Sequence, residues 1–204
     1  MSMSNGFLSQ EEIDSLLNGS DDSSSNTGSN DNSVNLLSDI EKDLLGEIGN
    51  ISMGSASTAL YQIINQKVNI TTPVVSITTL KEIKETFETP TVVLDVEYTS
   101  GIIGRNILII KTEDAAVIAN LMMGGDGIVE NHELSEIEIS AVQEAMNQMI
   151  GSAATSMATM FGRKVDISPP TSKVIENENI AISDDISEDQ PIVKVSFRLT
   201  IGDL

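Results

Sequence analysis

The sequence predicts an α/β (α+β) domain with pseudo-twofold symmetry, in which two long helices pack on a mostly antiparallel sheet. Three observations carry this expectation. Residues 37–73 recur at 134–170 when the chain slides by 97 positions, each copy opens with apolar residues at helical spacing, and short β-branched runs follow. Fourteen of the 37 aligned pairs are identical: Leu37/Leu134, Ser38/Ser135, Ile40/Ile137, Glu41/Glu138, Glu47/Glu144, Asn50/Asn147, Gly54/Gly151, Ser55/Ser152, Ala56/Ala153, Thr58/Thr155, Lys67/Lys164, Val68/Val165, Ile70/Ile167 and Pro73/Pro170. Chance gives about two at ordinary residue frequencies. After a further shift of four, the segment starting at Pro90 lines up with the one starting at Pro191. The halves divide near 133/134.

Taken in order, the domain begins near Val34. Ser38 and Glu41 form a capping box, and Leu44, Leu45, Ile48, Ile51 and Met53 continue at helical spacing to about Asn65. Residues 68–70 and 74–79 read as strands, with Pro73 marking an edge or bend, and residues 80–87 as a short charged helix. Strands follow over 91–98 and 105–111, joined by a glycine-containing turn at 100–104. Thr112 is placed to cap the next helix, TEDAAVIANLMM, which Gly124 and Gly125 stop; 126–133 is an acidic loop. Ser135 and Glu138 make a second capping box for a helix reaching about Phe161, and strands are expected at 165–167, 177–183 and 192–201.

Ahead of the domain, residues 6–17 form an amphipathic unit. Ser9 and Glu12 make a capping box, and Leu8, Ile13, Leu16 and Leu17 an apolar stripe. A helix this short is marginal alone in water, so it orders when a groove receives the stripe, on a partner or on its own domain. Residues 18–33, built from Asn, Gly, Ser, Asp and Thr, cannot bury apolar surface and read as a flexible tether spanning roughly 20 to 24 Å.

Composition narrows the function. With 31 acidic and 11 basic residues the chain carries −20, which disfavours nucleic acid and anionic lipid as partners and suits a basic protein surface, or solubility alone. The absence of cysteine rules out disulfides and thiolate metal sites and is compatible with a reducing compartment. The N-terminus has no export signal, and no apolar run approaches the roughly 18 residues of a membrane span, so a soluble, unexported chain is expected.

The candidate site comes from the repeat. Glycine and alanine at 54, 56, 151 and 153 read as residues of close helix packing. Glu47 and Asn50, three apart on one helical face, and their counterparts Glu144 and Asn147, are not explained that way, because asparagine is a poor helix former and neither side chain belongs in a core. One Glu-x-x-Asn pair is an ordinary solvated face; two in register indicate a duplicated site. Conventional catalysis is poorly supported: the single histidine, His132, lies in an acidic loop with no triad or zinc set, and Gly124, Gly125 and Gly127 follow a helix instead of opening one. An amide can nevertheless orient a water for in-line attack on phosphorus without acting as a base, while the carboxylate holds a lysine of the partner.

Asp43, Glu47 and Asn50 with 22 residues before Pro73, and Ser140, Glu144 and Asn147 with the same gap before Pro170, resemble the paired D/S-x-x-x-E-x-x-N…P signatures of the CheC, CheX and FliY phosphatases. The segment FLSQEEIDSLL, containing Phe7, Leu8, Ser9, Gln10, Glu12, Ile13, Leu16 and Leu17, is similar to the peptide with which flagellar switch proteins capture phosphorylated CheY. The resemblance implies a CheC-like fold at 34–204 and a phosphatase acting on the aspartyl-phosphate of CheY. It implies that Asn50 and Asn147 orient water and Glu47 and Glu144 contact the response regulator. No cofactor of its own is implied, magnesium being carried by CheY; the implied partners are phosphorylated CheY and the switch proteins FliM and FliG. The implied location is cytoplasmic, at the C-ring of the flagellar basal body. Because FliY normally continues into a FliN-like C-terminal domain, the resemblance implies that this sequence is a fragment of a longer protein. The alternative is a non-catalytic adaptor that binds phosphorylated CheY through its N-terminal peptide.

Overall fold

A computed structural model describes residues 36–202 except 87–89, 132 and 178. Expectations for residues 1–35, the tether and N-terminal peptide among them, and for His132 lie outside the described residues. The element order is α1 (Asp39–Ile64), β1 (Val68–Ile70), β2 (Val74–Thr79), α2 (Leu80–Glu85), β3 (Thr91–Ser100), β4 (Gly104–Lys111), α3 (Thr112–Met122), α4 (Glu136–Phe161), β5 (Asp166–Ile167), β6 (Thr171–Ile175), β7 (Pro191–Ser196) and β8 (Leu199–Ile201).

Ser38 and Ser135 decide where the long helices start. Each hydroxyl accepts the backbone N–H three residues on, from Glu41 at 3.3 Å and Glu138 at 3.4 Å. The glutamates reach back to the serine N–H at 2.8 and 2.7 Å, so two donors that a helix start leaves orphaned are satisfied in each copy. The same contacts lower both carboxyl pKa values, through the backbone and then the hydroxyl of Ser38 for Glu41, and through the hydroxyl and then the backbone of Ser135 for Glu138. The helices also end alike. Asn65 (φ 52°) and Gly162 (φ 62°), again 97 apart, take the left-handed conformation that closes the last turn.

The sheet shows how the halves combine. Among the described residues every strand pairing is antiparallel, and the halves exchange strands: β3 pairs with β5 and β6, while β7 and β8, which together answer to β3, pair with β2 and β1. Thus β2 pairs with β7 in the register Thr78 to Ile192, and β6 with β3 in the register Ile175 to Thr91. The second pairing is the first carried over by the 97-residue shift on one strand and the 101-residue shift on the other. Side chains repeat it too. Thr71 N–H donates to the Arg198 carbonyl while its hydroxyl accepts from Arg198 N–H, and Ser168 and Glu97 do the same. Among the described strands β4, on the other side of β3, has no counterpart.

The axis relating the halves passes between α1 and α4. Ser55 and Ser152, equivalent residues, meet there with hydroxyls 2.9 Å apart, and Ser152 Oγ donates to the Ser55 carbonyl at 3.1 Å. Below the crossing, Ala56, Leu60, Val142, Ala145, Met146 and Met149 form the main core with Val92 and Leu94 of β3 and Ala115 and Ala119 of α3. Val93 points to the opposite face of β3, into a smaller core with Leu80, Ile83, Ile175 and Ile182. Buried on both faces, β3 is apolar without alternation at 92–94.

Some expectations are corrected. Thr112 is the first residue of α3, not its cap; Lys111 takes the cap position without a side-chain capping bond to the helix, and the Thr112 hydroxyl donates to the Pro90 carbonyl at 2.6 Å. Among the described residues of 177–183 none lies in a strand. Both sides of β3 are taken, by β4 and by β5 and β6, so Ile180 and Ile182 pack into the smaller core from a loop. Arg105 ties that loop down, through Asp95 at 3.0 Å and Asp185 at 2.9 Å, and the hydrogen bond to Asp95 is the main reason its pKa is raised. β6 was not anticipated, and 192–201 divides into β7 and β8. The packing glycines also differ. A Cβ on Gly54 or Gly151 would meet nothing within 4 Å, so neither marks close packing, whereas one on Gly49 would stand 3.3 Å from Phe197 and Val195. Ala56 and Ala153 are buried as expected.

Two stability predictions follow from the helices. Gly54→Ala, at an open helical position, raises unfolding free energy by about 0.5–1 kcal/mol in a urea titration. Ser135→Ala, which removes a cap, lowers it by about 1 kcal/mol. Because the folded Glu138 carboxyl lies below its ordinary 4.5, its contribution is present above that value and lost as pH falls through the depressed one. The difference between wild type and Ser135→Ala therefore narrows on acidification.

Candidate functional site

The buried face of α1 is set by Ser52, Ala56, Leu60 and Ile64, four apart. Glu47, Asn50 and Gly54 are offset from that row by about half a turn, and all three are exposed. Asp43 lies one turn before Glu47 on the same row. Opposite them stands the segment entering β2, and between the two runs an open groove of about 480 Å³, lined by Asp39, Lys42, Asp43, Gly46, Glu47 and Asn50 on the helix and by Thr72, Pro73 and Val75 across from it. The proline of the sequence pattern thus forms the groove wall facing the acid and the amide. Its ring fixes the backbone just before β2, holding that wall at a set distance from the helix.

Glu144 and Asn147 occupy the equivalent row of α4. Glu144 is exposed and Asn147 half-buried, and Glu144 Oε1 accepts a hydrogen bond from Gln148 Nε2 at 2.8 Å. Ser140, where the first copy has Asp43, turns its hydroxyl back to the Glu136 carbonyl at 2.8 Å. Gln143, where the first copy has Gly46, spans from α4 to the segment before β6. Its Nε2 donates to the Pro170 carbonyl at 2.7 Å and its Oε1 accepts from the Ser172 hydroxyl at 2.8 Å.

Each predicted pair is therefore brought together by one helix, and the two pairs are placed symmetrically. Asn50 and Asn147 each precede the Ser55–Ser152 crossing by five residues, about 7.5 Å along their own helices. The pairs offer an amide with one acceptor and two donors beside an acceptor-only carboxylate, a combination that can hold a water and a cation but supplies no acid, base or nucleophile of conventional strength. Among the described residues no group of three or more histidines, aspartates and glutamates could hold a metal ion. The proposed peptide residues Phe7, Leu8, Ser9, Gln10, Glu12, Ile13, Leu16 and Leu17 lie outside the described residues. Gly46 and Gln143 were missed by sequence reasoning, which weighted identities; their difference was the available signal.

Comparison with known proteins finds the same duplication. The model of the CheC-like family matches residues 40–77 and 137–174, two segments again 97 apart that contain both Glu–Asn pairs. The flagellar motor switch phosphatase FliY of Bacillus subtilis (strain 168) is 49% identical over 207 residues, covering 99% of this chain and 53% of that protein. The chain thus spans about half the length of that curated relative. The crystal structure of Thermotoga maritima FliY superposes with a TM-score of 0.76 at 44% identity, over 83% of this chain and 87% of that one. The FliM middle domain from H. pylori shares the fold, with a TM-score of 0.65 at 16% identity over 82% of this chain and 88% of that one. The chain belongs to the CheC-like family, as a relative of FliY.

Proposed function

We propose that this chain hydrolyses the aspartyl-phosphate of the response regulator CheY at the flagellar motor switch. The observation that carries the reading is the duplicated Glu–Asn pair on α1 and α4, with Glu47, Asn50 and Glu144 exposed and Asn147 half-buried, in a chain 44% identical to a FliY over most of that structure. Asn50, and Asn147 in the second copy, hold the attacking water; Glu47 and Glu144 dock a cationic side chain of the regulator beside its phosphorylated aspartate.

The chemistry asks little of the enzyme. The water oxygen forms a bond to phosphorus as the acyl-phosphate P–O bond breaks, and the aspartate leaves with the bonding electrons. A carboxylate with a pKa near 4 departs unprotonated, so no general acid is needed, and the proton released by water passes to a phosphate oxygen or to solvent. Orientation is the remaining requirement, and a helix-borne amide supplies it with little freedom to lose. Magnesium belongs to the phosphorylated regulator in this reading, and the chain needs no cofactor of its own.

Residues 6–17 recruit phosphorylated CheY on the tether of residues 18–33, raising its concentration near the domain. FliM and FliG are the neighbouring switch proteins, and the site of action is the cytoplasmic face of the basal body, at the C-ring. Among the described residues no helix is long and apolar enough to cross a membrane.

Phosphate release from phosphorylated CheY tests the reading. Replacing Asn50 and Asn147 together by alanine brings the rate down to that of CheY alone, while circular dichroism is unchanged. Deleting residues 1–33 raises KM but keeps the rate at high substrate; loss of all interaction on that deletion supports a non-catalytic adaptor instead.

A further inference from the structure

On each long helix the asparagine is followed, one turn on, by a glycine. We infer that Gly54 and Gly151 are the clearance through which an aspartyl-phosphate reaches Asn50 and Asn147: a side chain longer than a methyl group there would lie over the amide and hold the partner off the helix. This rests on the phosphatase reading and adds what the reaction requires of the helix surface around the amide.

The ordinary reasons for a glycine fail at both positions. Each lies well inside a 26-residue helix, and neither takes the positive φ that favours glycine. Gly54 is exposed and Gly151 half-buried, yet a Cβ on either would meet nothing within 4 Å, so no neighbouring element presses on the backbone. Glycine in a helix interior costs stability relative to alanine, because it loses more freedom on folding. Both copies nevertheless carry it at the same place. A residue that costs stability and serves neither turn nor packing marks a position where function needs the space.

The direction of helical side chains says which space that is. They tilt toward the helix N-terminus, so a residue covers the surface over the turn before its own Cα. The turn before Gly54 carries Asn50 and the turn before Gly151 carries Asn147, each about 6 Å back along the axis. A side chain at 54 or 151 would therefore lean onto the amide, whereas Glu47 and Glu144, three residues ahead of it, lean away. Asparagine is also short, so its amide stands low on the helix, and a phosphoryl group that reaches it brings its own protein close to the backbone. Next along the rows stand Thr58 and Thr155, whose hydroxyls donate to the Gly54 and Gly151 carbonyls at 3.2 and 3.0 Å. Each of these bared carbonyls, which also accepts its helical N–H, is thereby filled and does not compete for the water that the amide holds.

The test replaces both glycines together in the full chain and follows phosphate release from phosphorylated CheY. Alanine and glutamine are both better helix formers than glycine, so Gly54→Ala with Gly151→Ala, and Gly54→Gln with Gly151→Gln, raise the urea midpoint above wild type. Activity moves the opposite way and follows side-chain length: kcat/KM falls about threefold for the alanine pair and about thirtyfold or more for the glutamine pair. Glycines that served only backbone freedom would make the two pairs equally slow, since alanine and glutamine stiffen a helix alike. Equal losses, a glutamine pair with the wild-type kcat/KM, or a urea midpoint below wild type in either pair would overturn the inference. If Asn50→Ala with Asn147→Ala keeps the wild-type rate, the phosphatase reading itself falls. An inactive asparagine pair beside a fully active glutamine pair leaves that reading standing and removes only the clearance.

Discussion

The structure depends on the crossing of α1 and α4 at Ser55 and Ser152. Equivalent residues can touch only where a symmetry axis passes between them, so this pair fixes the relation of the halves. Serine suits the position because its side chain is short enough for close approach and its hydroxyl can accept from its twin or donate to the facing carbonyl. The strand exchange extends the same relation. With β1 and β2 paired to β7 and β8, and β5 and β6 to β3, neither half completes its sheet alone. The repeat is thus a single cooperative core, and helix and sheet packing hold both Glu–Asn rows at matched distances from one axis.

How much of this was legible in the sequence varied with the range of the interaction. Helix starts were, because a capping box is a four-residue event and both Ser38–Glu41 and Ser135–Glu138 form as read. The Glu–Asn rows were legible for the same reason: three-residue spacing on a helix is local. β6 was missed although Thr171–Ile175 is the 97-residue image of part of β2, because the two segments share the pairing and not the residues. Residues 177–183 look like a strand by composition, yet a strand needs a free partner edge, and whether β3 has one is a property of the whole sheet. Thr112 had the chemistry of a cap but lies within reach of the Pro90 carbonyl, a contact 22 residues away.

The glycines show the same limit from the other side. Gly54 and Gly151 are identical in the two copies and read as packing residues, yet nothing lies near them; Gly49, which has no glycine partner in the repeat, is the one pressed against Phe197 and Val195. Identity between copies records what both halves need, and here that is open space next to an asparagine one turn away, at Asn50 and at Asn147. Close packing on the β7 side is needed by one half only, since Met146 occupies the position equivalent to Gly49 and is buried in the main core.

Symmetry in the scaffold and asymmetry at the surface are compatible for an energetic reason. Positions 55, 56, 152 and 153 are constrained by the core they share, where a change on one helix is felt by the other. Positions 46 and 143 face outward on different helices and touch different segments, so each can change without disturbing the crossing. A glycine at one and a glutamine at the other leaves the fold intact while giving the two rows different surroundings: one beside an open groove lined by Asp39, Lys42, Asp43 and Glu47, the other beside an amide bonded at both ends. The scaffold of a duplicated row can therefore be kept while its surroundings diverge.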